Sequence, residues 1–195
     1  LIYNPETYIT NKESAMFFAE KGLRSITLAK EITLDDICAI ALKTGVKADI
    51  LAHGPVNMFH SKRMLITNYF RHFNSDSPES FRNKALSITE EMRLGKYPLI
   101  EDDSGTHIFS PYDLCTVNYL DVLIENNVSS LRIDGMFKTF RQLYDITAVY
   151  RKALDDYFAD KENYLIKRSE YLRELAEIEN IRPFNTGFLL KKTIY

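Results

Sequence analysis

Short apolar, β-branched runs alternate with amphipathic helical patterns along the first 52 residues, at intervals of about 24 residues. We predict strands over residues 1–3, 25–29 and 49–52, with helices that begin near Asn11 and after Thr33. Consecutive strands joined through a helix pair in parallel, and their crossovers are right-handed. The pattern therefore predicts a parallel sheet covered by helices.

The alternation stops near residue 70 and resumes at Asp113. Residues 71–83 have the composition of a surface loop, and the segment after them predicts short strands over 88–94, 97–102 and 107–109, the last two forming a hairpin. Beyond Asp113 we expect a helix to residue 127, a strand over 130–133, helices from Thr139 to residue 158 and over 161–178, and a final strand over 188–190.

These elements predict the later part of a (β/α) barrel of the TIM type, with a small β-hairpin insertion and C-terminal helices. The predicted organisation is strand–helix units over 1–70, the insertion over 71–112, a final unit over 113–158, and a helix and tail over 159–195. An open, doubly wound parallel sheet is the alternative. A complete barrel takes about 250 residues, and this sequence begins at Leu1 without a methionine. We therefore expect a preceding N-terminal barrel half, or a second copy of the chain, to cover the sheet edges.

Composition limits the classes of partner. The net charge of −2 and the pI near 6.1 give no general attraction for nucleic acid, so an RNA contact needs a local patch. The sequence has neither a long apolar run nor a signal-like start, which predicts a cytoplasmic protein away from membranes. Cys38 and Cys115 are far apart and form no CxxC motif, so we expect reduced core thiols.

Polar side chains follow the predicted strands, where α/β proteins place their sites. The strand ending near Ala52 leads into His53-Gly54-Pro55, and we expect a helix bearing His60 to follow this break. The candidate catalytic residues are Glu31, His53 and Asp134, and the candidate substrate-binding cations are Lys30, Lys62, Arg63 and Lys138. These cations predict an anionic ligand. No metal site is predicted, although His53 and His60 with Asp134 or Cys115 remain a conceivable ligand set.

A series of motifs occurs in order along nearly the whole chain. They are Asn4-Pro5-Glu6-Thr7, Leu28-Ala29-Lys30-Glu31, His53-Gly54-Pro55 with Ser61-Lys62-Arg63-Met64-Leu65, Asp113-Leu114-Cys115, Ser130-Leu131-Arg132-Ile133-Asp134-Gly135 and Tyr150-Arg151-Lys152-Ala153. Together they resemble peptidase family U32, the collagenase-like proteases. The resemblance implies the C-terminal part of a (β/α) barrel.

The resemblance also implies two kinds of activity. Members were named proteases, yet relatives take part in prephenate-dependent hydroxylation, one branch acting on the wobble uridine of tRNA. Cluster-bearing relatives hold an iron–sulfur centre on four cysteines, but here Met64 stands in the place of the first, residues 71–85 contain none, and only Cys115 remains. The chain thus resembles the cysteine-poor bacterial branch, and the resemblance implies no cluster cofactor in this chain and a cluster-bearing paralogue as a partner.

Three functional hypotheses follow. The first is a subunit for tRNA wobble-uridine 5-hydroxylation that binds a small anion such as prephenate as co-substrate. The second is a protease, although neither HExxH nor GxSxG occurs. The third is a non-catalytic scaffold partner of the paralogue. A possible tRNA contact is the basic series on the helix predicted over 161–178 and in the tail, although interleaved glutamates favour an ordinary solvated helix: Lys161, Lys167, Arg168, Arg173, Lys191 and Lys192.

Overall fold

The computed structural model describes residues 2–4, 8–73, 85–91, 95–178 and 182–191. The strands are β1 (Ile2–Tyr3), β2 (Ser25–Thr27), β3 (Lys47–Ser61), β4 (Leu86–Thr89), β5 (Lys96–Asp102), β6 (Gly105–Cys115), β7 (Val128–Ile133) and β8 (Phe184–Asn185). The helices are α1 (Lys12–Glu20), α2 (Leu34–Lys43), α3 (Leu65–His72), α4 (Leu120–Glu125), α5 (Phe140–Ala159) and α6 (Lys161–Ile178). The chain divides into unit 1, residues 1–54 with 113–195, and unit 2, residues 55–112.

Unit 1 contains a parallel sheet in the order β1-β2-β3-β7. The first part of β3 pairs with β2 on one side and with β7 on the other, and β8 pairs in parallel with the end of β6. The Asp49 carboxylate accepts hydrogen bonds from the hydroxyls of Thr27 (2.9 Å) and Ser130 (2.8 Å), which ties β2, β3 and β7 together. The prediction of parallel strands with helical crossovers is confirmed for these elements.

The helices of unit 1 begin where the sequence carries capping residues. Asn11 and Thr33 cap α1 and α2, and Thr139 forms a capping box with Gln142 at the start of α5. Helix α5 packs against α6 around the fully buried rings of Tyr164 and Tyr171. The bounds predicted for these two long helices are confirmed to within a residue.

Unit 2 is antiparallel. Strand β5 pairs with β4 on one side and with β6 on the other, and the turn between β5 and β6 is the predicted hairpin. The predicted insertion over 71–112 lies within this unit, which also includes residues 55–70.

Helix α3 has no side-chain cap of its own, because Met64 occupies the N-cap position. The Glu101 carboxylate of β5 takes that role and accepts hydrogen bonds from the backbone N–H groups of Ile66 (2.8 Å) and Thr67 (3.1 Å). Burial alone would raise the pKa of Glu101, but these bonds and those from the Thr67 and Thr106 hydroxyls outweigh it and lower the pKa.

Three local predictions are wrong, and the first is the break predicted at His53-Gly54-Pro55. Strand β3 runs without a break through His53-Gly54-Pro55, so His60 lies on a strand and the helix begins only at Leu65. Pairing of β3 with β7 ends at His53, so the missing N–H of Pro55 removes no bond from that ladder.

Asp113 lies on a strand instead of starting a helix, because β6 continues to Cys115 and is followed by a short 3-10 turn and α4. The predicted tail strand over 188–190 is a turn, and the strand of the tail is β8.

The fold class is mixed α/β, as predicted. In unit 1 the order β1-β2-β3-β7 leaves β1 and β7 at opposite edges, so the described strands do not close into a barrel. Among the described residues, no helix combines the length and apolarity needed to span a bilayer.

A substitution at Gly54 tests the close approach of β3 to the end of β7. Gly54 has a φ of +124°, and a Cβ there would lie 2.6 Å from the carbonyl oxygen of Asp134. We expect Gly54→Ala to lower the free energy of unfolding by at least about 3 kcal/mol in urea titrations, because backbone strain and a backbone clash combine.

The matched control is Gly45→Ala. Gly45 also has a positive φ, +64°, but a Cβ there meets no atom within 4 Å. Its cost should stay near about 1 kcal/mol. Equal losses in the two variants would contradict the proposed contact.

Candidate functional site

The carboxyl ends of β2 and β7, and the point where β3 stops pairing with β7, lie at one edge of the parallel sheet of unit 1 and carry the predicted catalytic residues. Lys30 and Glu31 follow β2, His53 lies at the end of its pairing with β7, and Asp134 follows β7. The structure brings His53 and Asp134 together, because the Asp134 N–H donates to the His53 carbonyl oxygen at 2.8 Å. The Asp134 carboxylate accepts a hydrogen bond from the Met136 N–H at 2.9 Å, which orders the following turn.

The His53 side chain is fully buried beside Tyr150 of α5. Its Nδ1 lies 3.3 Å from the Tyr150 hydroxyl, and that hydroxyl also donates to the Ala52 carbonyl oxygen at 2.9 Å. The N–H of Thr116 donates to the same hydroxyl at 3.1 Å, and the Cys115 sulfur lies 3.7 Å away. One phenol oxygen thus joins the middle of β3 and the residue after β6 to α5.

These contacts favour one tautomer of His53. A phenol has one hydrogen, and here the Ala52 carbonyl receives it, so the contact with His53 is a hydrogen bond only if Nδ1 is the donor. In neutral His53 the hydrogen is then on Nδ1, and Nε2 has a lone pair. Nε2 is then the proton acceptor of the ring.

Lys138, one of the predicted substrate-binding cations, is buried in an ion-paired cluster. Its ammonium group lies 2.5 Å from the carboxylate of Asp113, which is itself fully buried. Arg182 donates to the other oxygen of the same carboxylate through Nε (3.0 Å) and a terminal nitrogen (2.9 Å), and its guanidinium lies over the ring of Phe137.

Neither Asp113, Arg182 nor Tyr150 was singled out individually from the sequence. Asp113 was interpreted as a helix start, and Arg182 lies 69 residues away from it. A signal did exist for Tyr150, since a tyrosine at a core position of a predicted helix needs a buried partner for its hydroxyl.

The other two predicted cations, Lys62 and Arg63, are exposed in unit 2. They follow the end of β3 and precede α3, so the sequence places them next to the helix that Glu101 caps. The described residues give neither side chain a carboxylate partner.

The cysteines of this chain do not fit the four-cysteine iron–sulfur cluster of the family that the sequence resembles. Cys115 is buried against Tyr150, Cys38 lies on α2, and the sequence has no third cysteine. Burial and the charge of Asp35 raise the pKa of Cys38. Among the described residues no set of three metal-ligating side chains converges. We derive no chemistry through a cluster in this chain.

A serine and a histidine do meet in the hairpin of unit 2, which is relevant to the protease hypothesis. The Ser104 hydroxyl oxygen lies 3.0 Å from His107 Nε2, and His107 Nδ1 lies 3.0 Å from the Asn57 side-chain amide. Ser104 donates its hydrogen to the Asp102 carboxylate at 2.6 Å, however, and hydrogen bonds from Ser104 lower the pKa of Asp102. His107 is therefore not placed to activate Ser104 as a nucleophile.

The basic series of α6 is largely paired within unit 1. Lys161 pairs with Glu125, Lys167 with Asp156 (3.3 Å) and Arg168 with Asp121. The partners come from α4 and α5 instead of from neighbouring turns of α6. These three cations are thus in ion pairs, but not in the i,i+4 pairs with the interleaved glutamates of α6 that the sequence predicts, and Lys192 lies outside the described residues.

The Tyr150 hydroxyl can be tested by Tyr150→Phe. The change removes the hydroxyl's bonds to the Ala52 carbonyl and the Thr116 N–H, while the direct bond between these two groups (3.0 Å) remains, so we expect the free energy of unfolding at pH 7 to fall by about 1 kcal/mol. Urea titration measures the effect. The control is Tyr144→Phe, because Tyr144 is exposed on the same helix. Equal, small effects would contradict the role of the hydroxyl.

Alkaline pH gives a second test of the same hydroxyl. Burial raises the pKa of Tyr150 well above its usual value, with a further contribution from Cys115. Above about pH 10 an unfolded tyrosine loses its proton while folded Tyr150 keeps it, so this group makes stability fall as pH rises, by up to about 1.4 kcal/mol per pH unit. Tyr150→Phe should therefore reduce the slope of stability against pH between about pH 10 and 11.

The buried cluster around Asp113 predicts that replacing Asp113 costs more unfolding free energy than replacing the surface residue Asp145. We expect Asp113→Asn to cost about 3–5 kcal/mol of unfolding free energy, since it leaves Lys138 and Arg182 without this charge partner. Asp145→Asn should cost at most about 0.5 kcal/mol, because its partner Arg141 is exposed. Comparable losses in chemical denaturation would contradict the buried ion pairing.

Comparison with known proteins gives related chains along the full length. The chain is 33% identical over 198 residues to tRNA hydroxylation protein P2 of Bacillus subtilis, covering 100% of this chain and 64% of that protein. It is 26% identical over 182 residues to tRNA hydroxylation protein P1 of the same organism, covering 92% of this chain and 43% of that protein. A 23S rRNA 5-hydroxycytidine synthase of Escherichia coli is 28% identical over 147 residues, which cover 75% of this chain and 22% of the synthase.

The chain thus spans about two-thirds or less of the length of these relatives. No solved structure matches it. The family model for peptidase family U32 matches residues 1–194. The resemblance inferred from the motifs is confirmed: the chain belongs to peptidase family U32.

Proposed function

We propose that this chain is part of a cytoplasmic protein for 5-hydroxylation of the wobble uridine of tRNA. The observation that carries the proposal is similarity over the whole chain to tRNA hydroxylation proteins, reaching 33% identity. The relation to an rRNA 5-hydroxycytidine synthase supports the same class, since both names describe hydroxylation of RNA.

The strand-end edge of unit 1 is the proposed site of chemistry. His53 holds and moves a proton at Nε2, with its tautomer set by Tyr150. Glu31 and Asp134 are the proposed carboxylate partners. Lys30 and Lys138 supply positive charge for a small anionic co-substrate such as prephenate, with Asp113 holding Lys138 in place. Lys62 and Arg63 are proposed as cations for the phosphate backbone or the anion.

The proposal extends to the assembly. The four parallel strands of unit 1 are, in this proposal, the later strands of a (β/α) barrel whose edges are covered by an N-terminal half or by a second copy. A cluster-bearing paralogue is the proposed partner, and the existence of proteins named P1 and P2 in one organism supports a pair of related chains.

The experiment is complementation of a strain that lacks the gene, with the full-length protein carrying His53→Gln or Asp134→Asn. Because each residue is proposed to move a proton or orient the group that does, 5-hydroxyuridine in tRNA should fall at least about tenfold by mass spectrometry. Asp155→Asn on the surface of α5 is the matched control and should restore wild-type modification.

Protein level and thermal melting of each variant separate loss of function from loss of folding. Wild-type 5-hydroxyuridine in both site variants would overturn the site assignment. Unchanged 5-hydroxyuridine in the strain without the gene would overturn the proposed function itself.

A further inference from the structure

Unit 2 carries a run of sequence whose charge is of one sign. Residues 50–75 contain no aspartate or glutamate. The cations of this run, Lys62, Arg63 and Arg71, are all exposed, and the described residues provide none of them with a carboxylate partner. The lysines and Arg168 of α6, by contrast, pair with acidic residues of unit 1. This run of sequence is therefore basic in a chain whose net charge is −2.

Exposed aromatic rings lie on the same helix and directly after it. Tyr69 and Phe73 are 61% and 62% exposed, and their ring centroids are 4.9 Å apart. The ring of His72 lies 5.0 Å from that of Phe73. Such a group of rings offers flat faces to solvent, and nucleic-acid bases stack on faces of this kind.

An apolar groove begins beside Tyr69. It has a volume of about 410 Å³ and is bounded by α3 and the sheet of unit 2, through residues that include Leu65, Ile66, Phe70 and Ile88. Its lining is mostly apolar, with Tyr69, Ser87 and Thr106 as the residues that carry hydroxyl groups. A planar base turned out of a strand is a suitable occupant, since it is flat, largely apolar on its faces and polar at its edge.

The helix that presents these groups is held in place before any ligand arrives. Glu101 binds the N–H groups of Ile66 and Thr67, and the Thr106 hydroxyl accepts from the Leu65 N–H at 3.0 Å. The negative charge of Glu101 is therefore used at the start of α3, while Arg71 and the aromatic rings lie at its end. A surface fixed in this way loses little entropy on binding.

We propose that this surface, which we call the α3 face (Lys62, Arg63, Tyr69, Arg71 and Phe73), binds the unpaired loop of an RNA hairpin. The inference rests on the proposed function and names the surface of this chain that contacts the RNA. Phosphates pair with the three cations, and unpaired bases stack on Tyr69 and Phe73. Charge complementarity favours RNA over an apolar protein segment, because a segment of that kind would fill the groove but leave the three cations unused.

The test is fluorescence anisotropy of the full-length protein with a labelled RNA hairpin that has a seven-nucleotide loop, against a fully paired RNA of equal length. The wild-type protein should bind the hairpin more tightly than the duplex. Tyr69→Ala combined with Phe73→Ala should weaken hairpin binding at least about fivefold, because each stacked base contributes to affinity. Arg71→Gln should lower the slope of log affinity against log salt by about 0.7, the value of one phosphate contact on a single strand.

Matched controls lie in unit 1. Phe140 is 85% exposed and Arg24 is an exposed cation between α1 and β2, so Phe140→Ala and Arg24→Gln should leave hairpin affinity and salt slope unchanged. Circular dichroism confirms that all variants fold. Equal binding of hairpin and duplex, absence of RNA binding by the wild type, or wild-type affinity in the Tyr69 and Phe73 variant would each overturn the inference.

The outcome separates this inference from the proposed function. If binding depends on the α3 face while loss of the gene leaves 5-hydroxyuridine unchanged, the surface stands and the proposed reaction fails. If 5-hydroxyuridine needs the gene while binding ignores Tyr69 and Phe73, the reaction stands and the surface fails. If Tyr69→Ala combined with Phe73→Ala changes the oligomeric state in analytical ultracentrifugation but leaves RNA binding unchanged, the α3 face is a protein contact instead.

Discussion

The buried hydroxyl of Tyr150 is the contact on which the candidate site depends. It bonds to the backbone at Ala52 and at Thr116 and lies within hydrogen-bond distance of the His53 ring, so it connects the middle of β3 and the residue after β6 with a long helix. The Ala52 carbonyl and the Thr116 N–H are therefore hydrogen-bonded without water, and the His53 ring is held in one orientation. The cluster of Asp113, Lys138 and Arg182 works in a similar way at the end of β6, where opposite charges allow a carboxylate to lie out of water.

Local patterns were sufficient where structure is determined by neighbours in sequence. The long helices α5 and α6 were predicted almost to the residue, because the Thr139 capping box and the apolar spacing are local properties. The parallel order of strands also followed from the alternation. Family membership followed from motifs distributed along the chain and is confirmed.

The failures have a common cause in contacts between distant residues. Gly54-Pro55 was interpreted as a break, yet Gly54 is needed for the approach of Asp134, which lies 80 positions further on. Asp113 is a good helix start by composition, but it lies on β6, which pairs there with β8, and its carboxylate binds Arg182 and Lys138. The partners of Tyr150 are likewise 34 and 98 positions away. Such pairings leave no periodic trace in a single sequence, and so the strand-end residues could be proposed while the groups that hold them could not.

The cap that Glu101 provides to α3 has a consequence for folding. The helix has eight residues and no capping side chain of its own, and isolated helices shorter than about 12–15 residues are marginal in water. Its helical state therefore depends on a carboxylate that arrives with strand β5, some 35 residues later in the chain. Helix and hairpin form as one cooperative element, and a nascent chain that ends before Glu101 would carry its aromatic, basic segment without a fixed conformation.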